Sequence, residues 1–149
     1  MAEFSFQDAK TIIHAICNAA ENNEFPTRKS FMDMLEANPH LAVQGYNAYA
    51  KIFYWNAASI GLYGYRLDEV VNKNLIELIL PPEIRAFARD MISNGAKTGK
   101  MPEAGACDLL KSNGEYVTVY SGHIVFQWEH ASSPEFYCID LALQTERVV

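Results

Sequence analysis

The most constraining part of the chain is residues 52–71, where a strand, a capped helix and a second helix follow one another closely. The apolar run at 52–55 predicts a strand, and Asn56 after it suits a helix N-cap because its side chain accepts a hydrogen bond from a free backbone N–H. Gly64 fits the helix end, since glycine readily adopts the left-handed conformation of a C-cap. Acidic side chains at 68–69 then favour the first turn of another helix. Few sequences combine these four signals at this spacing.

Length and charge indicate a single domain that binds neither nucleic acid nor anionic membranes. The 149 residues are enough to bury roughly two-thirds of the unfolded surface in one core. Acidic side chains number 18 against 12 basic ones, for a formal charge of −6, and no predicted element carries a basic cluster. No apolar run approaches the ~18 residues of a membrane span, and the N-terminus has no signal-peptide pattern. The widely spaced Cys17, Cys107 and Cys138 predict a reduced, cytoplasmic location.

An amphipathic helix is predicted near the N-terminus, because apolar side chains recur at spacings of three and four over residues 9–20. Ser5 with Asp8 is typical of a capping box at its start. The apolar stripe includes Ile12, Ile13 and Ile16. This stripe needs a partner, which is either the protein's own sheet or the same helix of a second subunit.

The second half of the chain predicts a long helix and then strands. Pro81 and Pro82 begin the helix, and Asn94 with Gly95 suits its end. The predicted strands run over about 103–111, 115–127 and 135–144. An Asn-Gly pair at 113–114 is typical of the hairpin between the first two of these strands. Together with two earlier strands they predict an α+β fold, with five antiparallel strands and helices over one face.

The order of these elements resembles a PAS domain, a sensory module of signalling proteins, over about residues 30–147. The shared features are a Leu-rich helix leading to a Pro, two strands, an Asn, a Gly-Tyr pair, a Glu, a Pro-Glu-x-x-Arg motif and a polar-Gly hairpin. They fall here at 35–39, 41–43, 52–55, Asn56, Gly64 and Tyr65, Glu69, 82–85 and 112–115. Asn72 stands where the family often has glycine. The resemblance implies a PAS fold over residues 29–147, with residues 1–28 as an N-terminal helical extension.

No active site is expected within these residues. The four histidines show no metal-ligand spacing with one another or with the cysteines, so no metal site is predicted. Gly61 and Gly64 lie inside or at the end of a helix rather than in a phosphate-binding loop. The acidic pair Asp68 and Glu69 is explained by a helix start.

The resemblance implies a ligand cavity between the inner face of the sheet and the helices. The candidate ligand-binding residues are Trp55, Asn56, Ile60, Tyr63, Phe87, Met91, Tyr120 and His123. Ordinary core packing is the alternative for each of them, and a change of strand parity would move a strand residue to the other face. His123 is of particular interest, because a neutral imidazole beside a ligand can donate or accept one specific hydrogen bond.

Two cofactor classes of PAS domains are disfavoured. Haem-binding members supply an axial His from the long helix, but residues 83–94 contain none and Ala88 stands near the expected place. Flavin photoreceptors of the family carry a reactive Cys in an Asn-Cys-Arg-Phe motif, whereas this chain has Leu75 at that position. Haem and covalent flavin photochemistry are therefore not expected. A flavin held without a covalent bond, a small organic ligand and a filled core stay open.

The resemblance also implies a sensory function with a C-terminal effector domain. Residues 145–147 match the second half of the Asp-Ile-Thr-Glu-Arg motif that links such sensors to their outputs, with Leu143 at the place of the Asp. A histidine kinase of a bacterial two-component system is the expected output, and a cyclic-dinucleotide enzyme or a chemoreceptor is the alternative.

Oligomeric state and a second function follow from the same resemblance. PAS domains commonly dimerise through an N-terminal helix, so a homodimer is expected. The residues expected to make the contact are Ile12, Ile13 and Ile16. The alternative function is a protein-interaction and dimerisation module with a filled core and no ligand.

Overall fold

The computed structural model describes residues 2–144, which fold into six α-helices, one short 3-10 helix and five strands. The helices are α1 (Phe6–Glu21), α2 (Arg28–Glu36), α3 (Ala57–Tyr63), α4 (Leu67–Val70), α5 (Leu75–Ile79) and α6 (Arg85–Thr98), with the 3-10 helix at Pro82–Ile84. The strands are β1 (Ala42–Tyr46), β2 (Ile52–Trp55), β3 (Gly105–Leu110), β4 (Tyr116–Phe126) and β5 (Glu135–Ala142). They form one antiparallel sheet in the order β2-β1-β5-β4-β3. The expected α+β fold with five antiparallel strands is confirmed.

The central segment folds as its residues predict. The Asn56 side-chain oxygen accepts a hydrogen bond from the Ser59 N–H at 3.0 Å and another from the Val43 N–H at 2.9 Å. Asn56 therefore caps α3 and also ties this helix to β1. Gly64 ends α3 with a φ of 80°. Asn72 has a φ of 64°, a left-handed conformation that asparagine tolerates better than most other residues except glycine.

The long helix α6 continues past its expected end. A stop is predicted at Asn94 and Gly95, but α6 runs to Thr98 and is ended by Gly99, whose φ is 73°. Gly95 is buried inside the helix, where an added Cβ would lie 2.5 Å from Met101 Sδ and 3.1 Å from Phe136 Cε2. Gly95 is therefore needed for the close approach of α6 to its neighbours rather than for the helix end.

Helices cover both faces of the sheet. We call the face under α3 to α6 the inner face and the opposite one the outer face. Side chains alternate between them along β4, so that Val119 packs in the inner core while Tyr120 and Ile124 pack in the outer core. On the outer face α1 lies against β4 and β5. The ring of Phe31 from α2 contacts that of Tyr137, with centroids 4.8 Å apart.

The apolar stripe of α1 packs on the protein's own sheet. Ile13 is completely buried and Ile16 is 8% exposed. The packing depends on Gly122 of β4, since a Cβ there would lie 2.7 Å from Ile13 Cγ2. Ile13 and Ile16 are thus not available for the dimer contact expected of them, because the outer face of the sheet is apolar and needs this cover. Ile12 is half-buried, and its contact with a second subunit stays a prediction, as does the domain boundary at residue 28.

Candidate functional site

A cavity of about 220 Å³ lies between the inner face of the sheet and helices α5 and α6. The helices supply an apolar wall made of Leu75, Ile76, Ile79, Ala88, Met91 and Ile92. The sheet supplies the opposite wall with its polar side chains, which are Gln44, Ser121, His123, Cys138 and Asp140. Small-molecule sites typically combine such an apolar lining with a few placed polar groups. The arrangement can therefore hold an organic molecule and orient it by hydrogen bonds to the sheet.

Asp140, in the middle of β5, is the dominant electrostatic feature of this wall. The carboxyl is completely buried, and the Tyr63 hydroxyl donates a hydrogen bond of 2.6 Å to Oδ2. Burial raises the pKa of Asp140 to about 6, against an opposite effect of the neighbouring polar groups of Ser121, Tyr63 and Gln44. By geometry, Oδ1 has no hydrogen-bond partner among the described residues, although the Ser121 and Gln44 side chains are near enough to lower the pKa. Unpaired buried oxygens are uncommon in folded proteins, so this atom is free to accept a hydrogen bond from a bound molecule.

A second unpaired oxygen belongs to Gln44 on the neighbouring strand β1. The Nε2 group of Gln44 donates to Ser59 Oγ at 3.0 Å. Because the Ser59 hydroxyl has the Val43 carbonyl and Asn56 Oδ1 as acceptors, its own oxygen is left to accept from Gln44. With the amide in this orientation, Gln44 Oε1 is buried without a partner.

His123 lies beside Cys138 on the same wall. The Nδ1 atom of His123 is 3.3 Å from Cys138 Sγ, which in turn is 3.5 Å from the Tyr46 hydroxyl. The His123 side chain lines the cavity and is partly exposed. Surrounding protein still lowers the pKa of His123 to about 4 by desolvation, so the ring is neutral at pH 7. A hydrogen bond from this neutral ring to a ligand stays a prediction.

Several of the predicted ligand-binding residues line the cavity and others do not. Phe87, Met91 and His123 line it, although the Phe87 side chain is 65% exposed. Trp55 and Tyr63 are buried in the inner core outside the cavity lining. Tyr63 still affects the site through its hydrogen bond to Asp140. No ligand contact has been observed for any of these residues, so their binding roles stay predictions.

Three predicted residues lie away from the cavity. Asn56 acts as the cap of α3, and Ile60 is 39% exposed on the same helix. Tyr120 was expected in the cavity but lies on the outer face, where its hydroxyl is 2.7 Å from His14 Nε2. The physical reason is strand parity: residues at an odd spacing point to opposite faces, so Tyr120 and His123 cannot share one.

Sequence reasoning missed Gln44, Ser121, Cys138 and Asp140, which form most of the polar wall. A detectable signal was Asp140, a charged residue inside the otherwise apolar run of β5. Charged side chains are rarely fully buried without a reason. For Gln44 and Ser121 no local signal exists, because polar residues are ordinary in strands with one exposed face.

Other site types can be assessed over the same part of the chain. Within residues 2–144, no three His, Cys, Asp or Glu side chains lie together in a way that could hold a metal ion. None of the helices in this range has the length and apolar character to cross a membrane. Leu75 and Ala88, which stand at the expected cofactor-attachment positions of the flavin and haem classes, both line the cavity.

A comparison with family models identifies the fold class of the chain. The model described as the PAS fold matches residues 35–128, which is more than half of the sequence. The chain therefore belongs to the PAS family, and the family predicted from the motifs is confirmed. A comparison with curated protein sequences finds no match.

Solved structures of PAS domains share this fold at low sequence identity. The PAS domain of a protein from Colwellia psychrerythraea is 19% identical, with a TM-score of 0.61 over 76% of this chain and 96% of that one. The PAS domain of an HTR-like protein from Haloarcula marismortui is 18% identical, with a TM-score of 0.55 over 77% and 91%. The PAS domain of the RpfR quorum-sensing receptor of Cronobacter turicensis, in complex with C12:0, is 12% identical, with a TM-score of 0.55 over 70% and 95%. At these identities the likeness shows the fold alone.

Proposed function

We propose that this PAS domain senses a small organic ligand in the inner cavity and relays a conformational signal to a C-terminal output module in the cytoplasm. The observation that carries the proposal is the cavity of about 220 Å³, whose sheet wall leaves buried oxygen atoms unpaired. Buried polar groups are normally satisfied, and ligand sites typically combine an apolar lining with a few polar groups, so this cavity is suited to a ligand that pairs with the free oxygens. The RpfR domain of the same fold, in complex with C12:0, supports ligand binding as a use of this architecture.

Strand β5 offers a route for the signal. Its residues Cys138 and Asp140 form part of the cavity wall. Just beyond them the Ala142 carbonyl accepts a hydrogen bond of 2.8 Å from the Phe4 N–H, and the Gln144 N–H donates one of 2.8 Å to the Phe4 carbonyl. A ligand that shifts β5 would thus move both the N-terminal segment and the exit from the domain. The expected junction at 145–147 lies outside the described residues.

We expect a sensor histidine kinase that follows the domain, with a cyclic-dinucleotide enzyme or a chemoreceptor as the alternatives. PAS domains are sensory modules, and we place no catalytic step within these residues. A homodimer remains the expected assembly, in which Ile12 is the one residue of the predicted set with exposed surface left to contribute.

Native mass spectrometry tests the proposed function directly, because one spectrum reports subunit number and any retained molecule. We expect a dimer with an excess mass that denaturation releases. The variant Ala88→Phe places a ring in the cavity from α6 and should abolish retention of that mass. Ala86→Phe adds the same ring at an exposed position of the same helix and should not.

The alternative function predicts a different spectrum. A protein-interaction module with a filled core would give a dimer at the bare chain mass. Ala88→Phe and Ala86→Phe would then be indistinguishable from the unaltered protein in every binding assay. That result would contradict ligand sensing.

A further inference from the structure

The inner cavity contains a pair of hydrogen-bond acceptors that the protein leaves unpaired. Gln44 Oε1 and Asp140 Oδ1 are buried and have no partner among the described residues. Strands β1 and β5 are adjacent, with Gln44 opposite Cys138 and Ala42 opposite Asp140, so the two acceptors come from neighbouring positions on the inner face. Leaving a buried polar group unpaired is destabilising. A ligand with hydrogen-bond donors for both oxygens would remove that cost.

Asp140 also lacks a positive partner. The ion pairs of the described residues do not include it, and its hydrogen bond from Tyr63 is uncharged. His123 borders the same cavity, but its ring is neutral and contacts Cys138 instead. A buried carboxylate without a cation is energetically unfavourable. The polar end of the cavity is therefore complementary to a positive charge.

The size and lining of the rest of the cavity limit the ligand body. An engineered apolar cavity of about 150 Å³ holds benzene. The present cavity, at about 220 Å³, is larger than that benzene-binding cavity by the volume of a short side chain. Its apolar wall includes Ile79, Ala88 and Ile92. It is smaller than the ~300–1,000 Å³ of sites for drug-sized ligands. A single ring, or an alkyl group of similar size, with a short arm fits these dimensions.

We propose that the cavity binds a small organic cation whose ammonium or amidinium group donates hydrogen bonds to Asp140 Oδ1 and Gln44 Oε1. Its apolar body packs against α5 and α6. This inference rests on the proposed ligand-sensing function and names the chemistry of the ligand. An anion of the same size is repelled by Asp140, and a hydrocarbon leaves both acceptors unpaired.

Four probes of nearly equal size test this chemistry by isothermal titration calorimetry at pH 7.5 with the full chain. They are 2-phenylethylamine, 2-phenylethanol, ethylbenzene and phenylacetate. We expect 2-phenylethylamine to bind at least about tenfold more tightly than ethylbenzene or phenylacetate, because a charge-assisted hydrogen bond contributes about that factor. The uncharged donor 2-phenylethanol should fall between them.

The variant Asp140→Asn tests whether binding depends on the charge of Asp140, because asparagine has nearly the same size and shape without the charge. Asp140→Asn should weaken 2-phenylethylamine at least about tenfold and change 2-phenylethanol by less than about threefold. Asp108→Asn removes the same charge from an exposed position of β3 and should leave all four affinities unchanged. The probe series on the unaltered protein decides the question even where Asp140→Asn fails to fold.

The outcomes distinguish this inference from the function on which it rests. Ethylbenzene or phenylacetate binding as tightly as 2-phenylethylamine would overturn the cation while leaving a ligand cavity in place. A retained natural molecule without a basic group would also overturn it. No binding by any probe, together with a bare mass in the native spectrum, would overturn ligand sensing itself.

Discussion

The two faces of the sheet differ in how their buried polar groups are paired, although both are covered by helices. On the outer face, apolar and aromatic side chains of α1 and α2 pack against the sheet. Glu135 at the edge of that face accepts hydrogen bonds from Trp128 Nε1 at 2.9 Å and from the Tyr137 hydroxyl at 2.8 Å, and it pairs with Arg28. On the inner face, Gln44 and Asp140 border a cavity and each keeps one unpaired oxygen.

The two faces therefore differ in how well they suit the proposed ligand sensing. A face whose polar groups are satisfied and whose apolar groups interlock has a single packing and resists change. A face with a cavity and unpaired acceptors is less stable than it would be with a bound molecule, so a ligand can shift its equilibrium. Both faces contribute buried apolar side chains to the core, and under the proposed function the inner face is the one that responds to a ligand.

The largest effect should come from a charge placed in the outer core. Ile13→Asp puts a carboxylate where the native side chain is completely buried against the sheet. The lost packing and the desolvated charge should cost at least about 5 kcal/mol, which is comparable to the whole stability of many domains. We expect a largely unfolded protein by far-ultraviolet circular dichroism.

Ile12→Asp is the matched control, because this neighbouring residue of α1 is only half-buried. It should leave a folded protein. A folded Ile13→Asp protein that has changed from dimer to monomer in sedimentation would instead show that the stripe is a subunit interface, and the assignment of the outer face as a core would be wrong.

A smaller effect should appear in the pH dependence of the inner face. The pKa of Asp140 is raised by burial to about 6 from an ordinary value of 3.8, so the folded state holds this proton more tightly than the unfolded state. The contribution of Asp140 to stability must then fall as pH rises through the window between these values, by about 3 kcal/mol in all. His123 opposes it, because its pKa of about 4 lies below the ordinary 6.5 and its contribution is lost on acidification.

Asp140→Asn isolates the first of these two groups. The free energy of unfolding of the variant minus that of the unaltered protein should increase by about 2 kcal/mol between pH 4 and pH 7, since the effect of His123 largely cancels in the difference. Urea denaturation at several pH values measures it. If this difference in unfolding free energy stays constant with pH, the Asp140 carboxyl is not desolvated. The inner face would then not differ from the outer face by an unfavourably buried carboxylate.

Much of the fold could be predicted because its signals are local. The cap at Asn56 and the left-handed Gly64 depend on residues within one turn of helix, and both are found as expected. Gly95 was misread for the same reason: a glycine near the end of an apolar pattern resembles a helix stop. Its real cause is the closeness of Met101 and Phe136, and the contact with Phe136 depends on the folded sheet.

The candidate site depended more on long-range contacts than the fold did. Gln44 and Asp140 lie on neighbouring strands because β1 pairs with β5. These two strands are distant in sequence, so no local sequence pattern predicts their pairing. The face of a strand residue is likewise set by register, which is why Tyr120 was placed with His123. The odd spacing of Tyr120 and His123 is enough to predict that they face opposite sides of the sheet. A charged residue, Asp140, within the apolar strand β5 is enough to predict that this strand borders the site.

The smallest predicted effect compares one large-to-small substitution on each face. Leu35→Ala removes a buried side chain of the outer core, which is 4% exposed, and should lower the free energy of unfolding by about 3 kcal/mol. Met91→Ala removes a half-buried side chain that borders an existing cavity, so it gives up fewer contacts and should cost only about 1 kcal/mol. Urea denaturation gives both values. Equal losses of unfolding free energy would show that Met91 is packed as tightly as Leu35. A small loss for Met91→Ala together with altered affinity for ring-sized ligands would show that Met91 on the inner face contributes to ligand binding more than to stability.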